Sequence, residues 1–479
     1  MIVADVFFLA ATLIRPMERV SSMEPSESRT VYDACATALC YSTPLEVDYA
    51  ARPYRLVPGC CEMPRTSADG LEYRFAVRGD CGVTAAQVVA AIRRLMDPVE
   101  VSPNGWMAKD IVSVEAVDGE VVVRLRRRCH FFPWLMAMPA VGVKGIDGSA
   151  TGDYRLESWR KNHEMVFRRR RVRKGGFDQI RYLVIDDSST RWLMFLKGEI
   201  DILADISRDN WDAIAADPEF TAMLREAPSL DVIYVGFNMK DPVLGPNRAL
   251  RRALNAAFDY PAWERFNSGR VTRCSTPVPP TVAGYLDTPY ADDFDLDKAR
   301  RLMKEAGYPD GIDARTGRRL VLTMTIGRPS QESREAGELM ASFYERIGIK
   351  LELDFYTWDA FLNAVNDGRV QMFRMGWVGD YPDAQNFLQL FHSRNIGSGP
   401  NRSRYSNASF DREYDAAMAS ADEQARLRHW QRCQEILRED PPWIFTHFNK
   451  VQILVRPSVG NYLPSCLPYG NEKWYNTHK

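Results

Sequence analysis

The sequence predicts an α/β fold with a parallel sheet, and three observations predict it. Between residues 319 and 377 the pattern runs strand, helix, strand, helix, strand, which calls for parallel strands joined by crossovers. The helices of that run and its neighbours carry their own start and stop residues. Finally, an apolar fraction of 45% spread over 479 residues supplies several cores. At roughly 150 residues per domain, that length implies two or three domains.

Taken in order, the chain opens with a short apolar run, "VFFLAATLI" (6–14). It reads as a first buried strand or as a weak or truncated export signal, since no Lys or Arg precedes it and no small-residue cleavage site follows. Farther on, "LEYRFAVR" and "EVVVRLRRR" are strand-like, and "TAAQVVAAIRRLMD" between them is a helix beginning at Thr84. "FRRRRVRKGG" (167–176) is the sharpest charge run, but it lies between strand-like "EMVF" and "IRYLVI" and reads as a solvated hairpin end.

In the second half, "NRALRRALNAAFDYPAW" (247–263) reads as one helix with Asn247 as its cap after Pro246. "DLDKARRLMKEAGYPDG" (295–311) is a capped helix ended by Gly307 and Pro309. The alternating run follows. "RLVLTMTI" (319–326) is a strand, and 333–348 a helix with Ser333 as cap and Gly348 as stop. "IKLELDFYTW" (349–358) alternates as a strand does, "DAFLNAVNDG" (359–368) is a helix capped by Asp359, and "VQMFRMGW" (370–377) is the third strand. Residues 422–440 form a last helix stopped by Pro441 and Pro442.

Lys+Arg (62) and Asp+Glu (63) cancel to a net charge of −1, which argues against a nucleic-acid or anionic-membrane binder. No stretch approaches the ~18–20 apolar residues of a membrane-spanning helix. Nine Cys are present, six of them before residue 130, without zinc spacing. They are buried free thiols or, in an exported protein, partly disulfides. Six His are scattered without ligand spacing, and no G-x-S-x-G, H-E-x-x-H or phosphate-loop motif occurs. No cofactor and no metal site is expected.

The stretch "RMGWVGDYPDAQNFLQLF" (374–391) concentrates aromatic surface and negative charge at the end of a buried strand. In open parallel sheets, ligands bind beyond the carboxyl ends of the strands. Asp380 lies just past the third strand and Arg328, in "TIGRPS", just past the first. With the first strand central, both side chains would border one crevice. Such a pair suits a zwitterion, because charge-assisted hydrogen bonds offset the loss of its water. Trp377 and Tyr381 would add apolar walls, and the backbone at Gly379 permits close approach. Asp383 reads as a structural turn or cap residue.

These segments, in this order, resemble the family 5 extracellular solute-binding proteins of ABC importers, which include dipeptide, oligopeptide and nickel receptors. "LEYRFAVRGDCGVTAAQVVAAIRRLMDP", "ATGDYRLESW", "GEIDIL", "FNMKDPVLGPNRALRRALNAAFD", "DLDKARRLMKEAGYPDG" and "GWVGDYPDAQNFL" carry the resemblance, from about Arg19 to the C-terminus. Ala150, Asp153, Asn247 and Ala384 depart from the family's usual Gly, Pro, Asp and Pro. The resemblance implies a two-lobed periplasmic-binding-protein type II fold with a hinge of two chain crossings. Lobe I would comprise 1–44, 146–237 and 443–479, with an extra subdomain at 45–145; lobe II would be 238–442.

The resemblance also implies the function: a non-catalytic, monomeric, periplasmic or otherwise exported receptor that captures a peptide-like solute between its lobes and delivers it to ABC permease subunits. In peptide-binding members, the Asp matching Asp380 takes the ligand's α-ammonium and the Arg matching Arg328 its carboxylate. A receptor for an oligosaccharide or chelated metal, or a hydrolase using the same cleft, are the alternatives.

Overall fold

The computed structural model describes residues 11–99, 101–171, 176–204, 206–327, 329–397, 399–467 and 469–477. The chain divides into two compact units. Unit 1 is Met1–Ala227 with Val451–Lys479, and unit 2 is Pro228–Lys450. The polypeptide therefore passes from one to the other twice.

Unit 1 contains a four-stranded sheet of β1 (Thr12–Met17), β5 (Tyr154–Arg160), β6 (Glu164–Arg169) and β7 (Gln179–Val184), in the order β1-β7-β6-β5. β1 lies parallel to β7, with Leu13 opposite Ile180 and Arg15 opposite Tyr182. The first strand thus covers the end of the apolar opening run, whose residues 1–10 lie outside the described ones. β6 and β7 are antiparallel, and the arginine run sits at their hairpin end. Four of its cations are engaged: Arg168 with Glu157, Arg169 with the carbonyl of Phe177, Arg170 with the carbonyls of Thr151 and Gly152, and Arg171 with the carbonyl of Cys81. Residues 172–175 lie outside the described ones.

A second sheet of unit 1 is an antiparallel array of Arg65–Thr66, β2 (Glu72–Ala76), β4 (Glu120–Leu125) and β3 (Ile111–Val117). Helix α2 (Ala85–Met96) follows α1 (Val31–Cys40) in the chain and begins in a capping box. Thr84 accepts from the Gln87 backbone N–H while the Gln87 side chain accepts from Thr84 N–H. Leu13, Phe167, Ile180 and Tyr182 form part of a core that is at most 1% exposed at these positions.

Unit 2 is built on one mixed sheet. Its long strands are β8 (Asp231–Phe237), β9 (Val321–Gly327), β10 (Lys350–Tyr356), β11 (Met372–Val378) and β12 (Trp443–Val455), in the order β12-β8-β11-β9-β10, and the short strand Val271–Arg273 also pairs with β12. β9 pairs in parallel with both β10 and β11, so the first strand of the alternating run is central, as expected. β8 is antiparallel to β11 and β12, and its partners are far away in sequence. α6 (Gln331–Glu345) and α7 (Trp358–Asn366) make the two crossovers; the apolar face of α6 joins Met324, Ile326, Met340, Phe343 and Met372 in a buried core, and α7 buries Phe361, Ala364 and Val365. Fully burying side chains of this size stabilises by about 1.5–3 kcal/mol each.

Three boundaries differ from the sequence reading. The 247–263 segment is two helices, α3 (Arg248–Ala256) and α4 (Tyr260–Phe266), because Asp259 caps the second and Pro261 sits in its first turn. Asn247 does cap α3, accepting from Leu250 N–H at 3.0 Å. The cap of α6 is Ser330, with Ser333 completing its capping box from the third position. α7 starts two residues earlier than a cap at Asp359 would allow; Thr357 occupies the cap position, and Asp359 lies in the first turn, where the helix dipole favours it. α5 (Leu296–Glu305) is capped by Asp295, and α9 (Glu423–Glu439) by Asp422.

Candidate functional site

The carboxyl ends of β9, β10 and β11 lie on one edge of the unit 2 sheet, because the three strands are parallel. Asp380 follows β11 by two residues. The intervening Gly379 is buried, and its N–H donates to the Leu230 carbonyl at 2.7 Å, which ties the loop to the start of β8. A side chain at Gly379 would meet Phe387 Cζ at 2.7 Å and Leu230 Cγ at 2.9 Å. That fit fixes where the next residue, Asp380, must sit.

The Asp380 carboxylate makes no ion pair with any described residue. Burial raises its pKa from the ordinary 3.8 to about 6, a rise moderated by the nearby Asn386 amide. Asn386 is itself fully buried at the third position of the short helix α8 (Ala384–Leu388). Its Oδ1 accepts from the indole N–H of half-buried Trp377 at 2.8 Å. Its Nδ2 is buried and falls short of a full hydrogen bond with any described group. Asn386 therefore fixes the Trp377 ring and presents an unmet donor beside Asp380.

Asp383, and not Asp380, caps α8: its Oδ1 accepts from Gln385 N–H at 2.9 Å, and its Oδ2 pairs with Arg426 at 2.8 Å. Tyr381 turns inward. It is 3% exposed, its hydroxyl donates to Gln385 Oε1 at 2.6 Å, and Gln385 in turn donates to the Tyr414 hydroxyl. Arg328 lies outside the described residues. Of the five expected site residues, the structure thus brings Trp377, Gly379 and Asp380 together at one strand end and sets Tyr381 beneath them.

The sequence reading missed Arg374. It sits in β11 opposite Ile326, at the carboxyl end of β9. Its Nε is buried without a hydrogen-bond partner among the described residues. No carboxylate among the described residues pairs with it; its guanidinium stands 5.9 Å from the Trp263 ring centroid. Burial lowers its pKa, with Glu332 in the first turn of α6 acting in the opposite direction. Beside it, His447 is 3% exposed, accepts from the Trp263 indole N–H at 3.0 Å, and is held neutral with a pKa of about 3 by burial and by the Arg374 charge. A cation and an anion, both without a charged partner among the described residues, therefore occupy one strand and its exit. The available signal was the Arg itself, a lone charge inside "VQMFRMGW".

Among the described residues no group of three or more His, Cys, Asp or Glu could hold a metal ion, and no helix is long and apolar enough to cross a membrane.

Comparison with known proteins adds independent findings. Residues 55–398 match the family model described as bacterial extracellular solute-binding proteins, family 5 Middle. The chain is 28% identical over 300 residues to heme-binding protein A of Haemophilus influenzae, covering 62% of this chain and 53% of that protein. It is 26% identical over 337 residues to the dipeptide-binding protein of Escherichia coli, covering 68% and 60%. The chain thus spans little more than half the length of these two relatives. Among solved structures, HbpA2 from Haemophilus parasuis superposes with a TM-score of 0.85 at 23% identity, over 98% of this chain and 100% of that one. This likeness establishes the type II periplasmic-binding-protein fold.

Proposed function

Because the chain belongs to the bacterial extracellular solute-binding proteins of family 5, we propose that it is the solute-capturing component of an ABC import system, working outside the cytoplasmic membrane on peptide-like ligands and passing them to permease subunits. In this reading the two units are the lobes, the two chain crossings are the hinge, and residues 45–145 are an extra subdomain of the first lobe. The receptor acts as a monomer and breaks no bonds in its ligand.

One observation carries this reading: Asp380 is a partly desolvated carboxylate with no cationic partner among the described residues, at the carboxyl end of a parallel sheet. An ionised group in such a place calls for a cation from outside. A peptide's α-ammonium fits, with the Asn386 amide as a second polar contact and Trp377 as an apolar wall. Arg374 supplies the opposite sign and is our candidate for the ligand's carboxylate, alone or with Arg328. Tyr381 supports the loop from beneath, and Gly379 sets its path. The name of the Escherichia coli relative, a dipeptide-binding protein, agrees with this ligand class.

The test is calorimetry with short peptides and their N-acetylated forms. Free peptides should bind, and acetylation should weaken binding at least a hundredfold. Asp380→Asn should erase the difference, and Arg374→Met should weaken binding of free and amidated peptides to a common level. Equal affinity of the wild-type protein for acetylated and free peptides would refute the role of Asp380. Native mass spectrometry of retained ligand separates the peptide reading from a sugar or a chelated metal by mass.

A further inference from the structure

The front of unit 1 gathers three thiols that the capture site does not use. Cys60 and Cys61 are adjacent and fully buried, and Cys81 is 6% exposed. The backbone brings them together. Glu62 N–H donates to the Ala76 carbonyl and Arg78 N–H to the Cys60 carbonyl, both at 2.9 Å, with Cys61 bridged opposite Val77. After Arg78 the chain turns through the short 3-10 helix Gly79–Cys81, which stops at Gly82 with φ +66. That turn carries the Cys81 sulfur back to 3.6 Å from the Gly59 carbonyl, directly beside Cys60.

Both loops are held firmly. A Cβ at Gly59 would lie 2.3 Å from the Thr43 carbonyl oxygen and 2.9 Å from that of Pro44, so only glycine fits there. The N–H groups of Cys60 and Cys61 donate to the same two carbonyls. On the other side, Arg78 reaches the Gly59 carbonyl at 3.2 Å and Arg171 the Cys81 carbonyl at 2.7 Å.

We infer that Cys60 and Cys81 are a disulfide-forming pair, closing the segment between them, with Cys61 left as a free neighbouring thiol. Geometry selects this pair among the three. Adjacent Cα atoms across a trans peptide are about 3.8 Å apart, below the ~4.4 Å that an ordinary disulfide requires, so Cys60–Cys61 is disfavoured. Cys61 faces Val77 across the bridge, whereas Cys81 abuts the residue preceding Cys60. The Cys60 thiol is held above its ordinary range by its hydrogen bond with Cys61, by burial, and by the Cys61 and Cys81 sulfurs. Cys81 is the more exposed member; burial and Asp80 hold its thiol above the ordinary range, and the Arg78 and Arg171 guanidiniums oppose that rise.

The chemistry follows from that asymmetry. The Cys81 thiolate attacks one sulfur of an external disulfide, forming a mixed disulfide and expelling one thiolate. The Cys60 sulfur, giving up its proton to solvent, then attacks the Cys81 sulfur and expels the second thiolate. Two thiols of this chain are oxidised, and the external disulfide is reduced to two thiols. A family that works outside the cytoplasm meets such oxidants, but the pairing rests on the local geometry and stands apart from the ligand proposal.

The purified full chain, equilibrated with oxidised glutathione, blocked with N-ethylmaleimide and digested with trypsin, tests it. Cleavage after Arg55, Arg65, Arg78 and Arg93 places Cys60 and Cys61 in one peptide and Cys81 in another. The expected product is these two peptides linked, with one maleimide on the first. The link should persist in Cys61→Ser, vanish in Cys60→Ser and Cys81→Ser, and raise the melting temperature by several degrees over the reduced protein. Three maleimide-labelled cysteines after oxidation, a Cys60–Cys61 link, or a link lost in a folded Cys61→Ser protein would overturn the assignment.

Discussion

At the scale of single residues, Asp380 couples the site to pH. Its folded pKa of about 6 lies above the unfolded 3.8. The folded state therefore binds more protons than the unfolded state between those values, and stability falls as pH rises through that window. By pH 7 the cost reaches at most about 3 kcal/mol. Asp380→Asn removes that cost, so the ligand-free variant should melt several degrees above the wild type at pH 7.5. Near pH 4 the gap should shrink to under about 1 kcal/mol, because the folded carboxyl is then neutral and the unfolded one only partly ionised. Differential scanning fluorimetry across this range checks the claim, and a gap that does not depend on pH would contradict it. Affinity should move the opposite way. A ligand ammonium needs the carboxylate ionised, so binding at pH 5 should be about tenfold weaker than at pH 7. Arg374 eluded the sequence reading for a related reason: the environment that makes it unusual comes from Trp263, Glu332 and His447, none of them near it in the chain.

At the scale of elements, local signals were legible and remote pairings were not. The three parallel strands, their crossover helices and most caps follow from period and capping chemistry, because helices and turns are governed by residues within a few positions. The break between α3 and α4 was missed because Ala257 and Phe258 continue the apolar spacing across it, while Asp259 and Pro261 restart a helix. β8 beside β11 was not legible at all; its register is a long-range fact. That pairing gives Gly379 its consequence. Gly379→Ala should press a methyl group into Phe387 and Leu230, destabilise by about 1–3 kcal/mol, and shift the Asp380 loop. Chemical denaturation should show the stability loss, and calorimetry a larger loss of affinity than the melting change explains. Unchanged binding would mean that the loop tolerates displacement. In the same spirit, Ser330→Ala removes the cap of α6 and should cost about 1 kcal/mol with no effect on ligand preference.

At the scale of the whole molecule, the division into two units makes a test of autonomy. Unit 2 is a single continuous segment, Pro228–Lys450, with its own sheet and buried core. Expressed alone, it should fold cooperatively, with dispersed amide resonances and one denaturant transition. A collapsed segment without a sharp transition would show that its core depends on unit 1. The sequence reading reached the α/β class and the family from collinear motifs. The positions of the crossings could not be read locally, since β12 runs through one of them without a break in its strand pattern.

Arg374 and Asp380 place two opposite charges, unanswered among the described residues, along a single strand and its exit. On the proposed reading, a binder built this way would recognise the ends of its cargo and leave the middle nearly unread. Breadth of diet would then follow from economy of contact: molecules with very different side groups would be accepted as long as their two poles are free and suitably spaced, and a neutral molecule of ideal shape would be turned away.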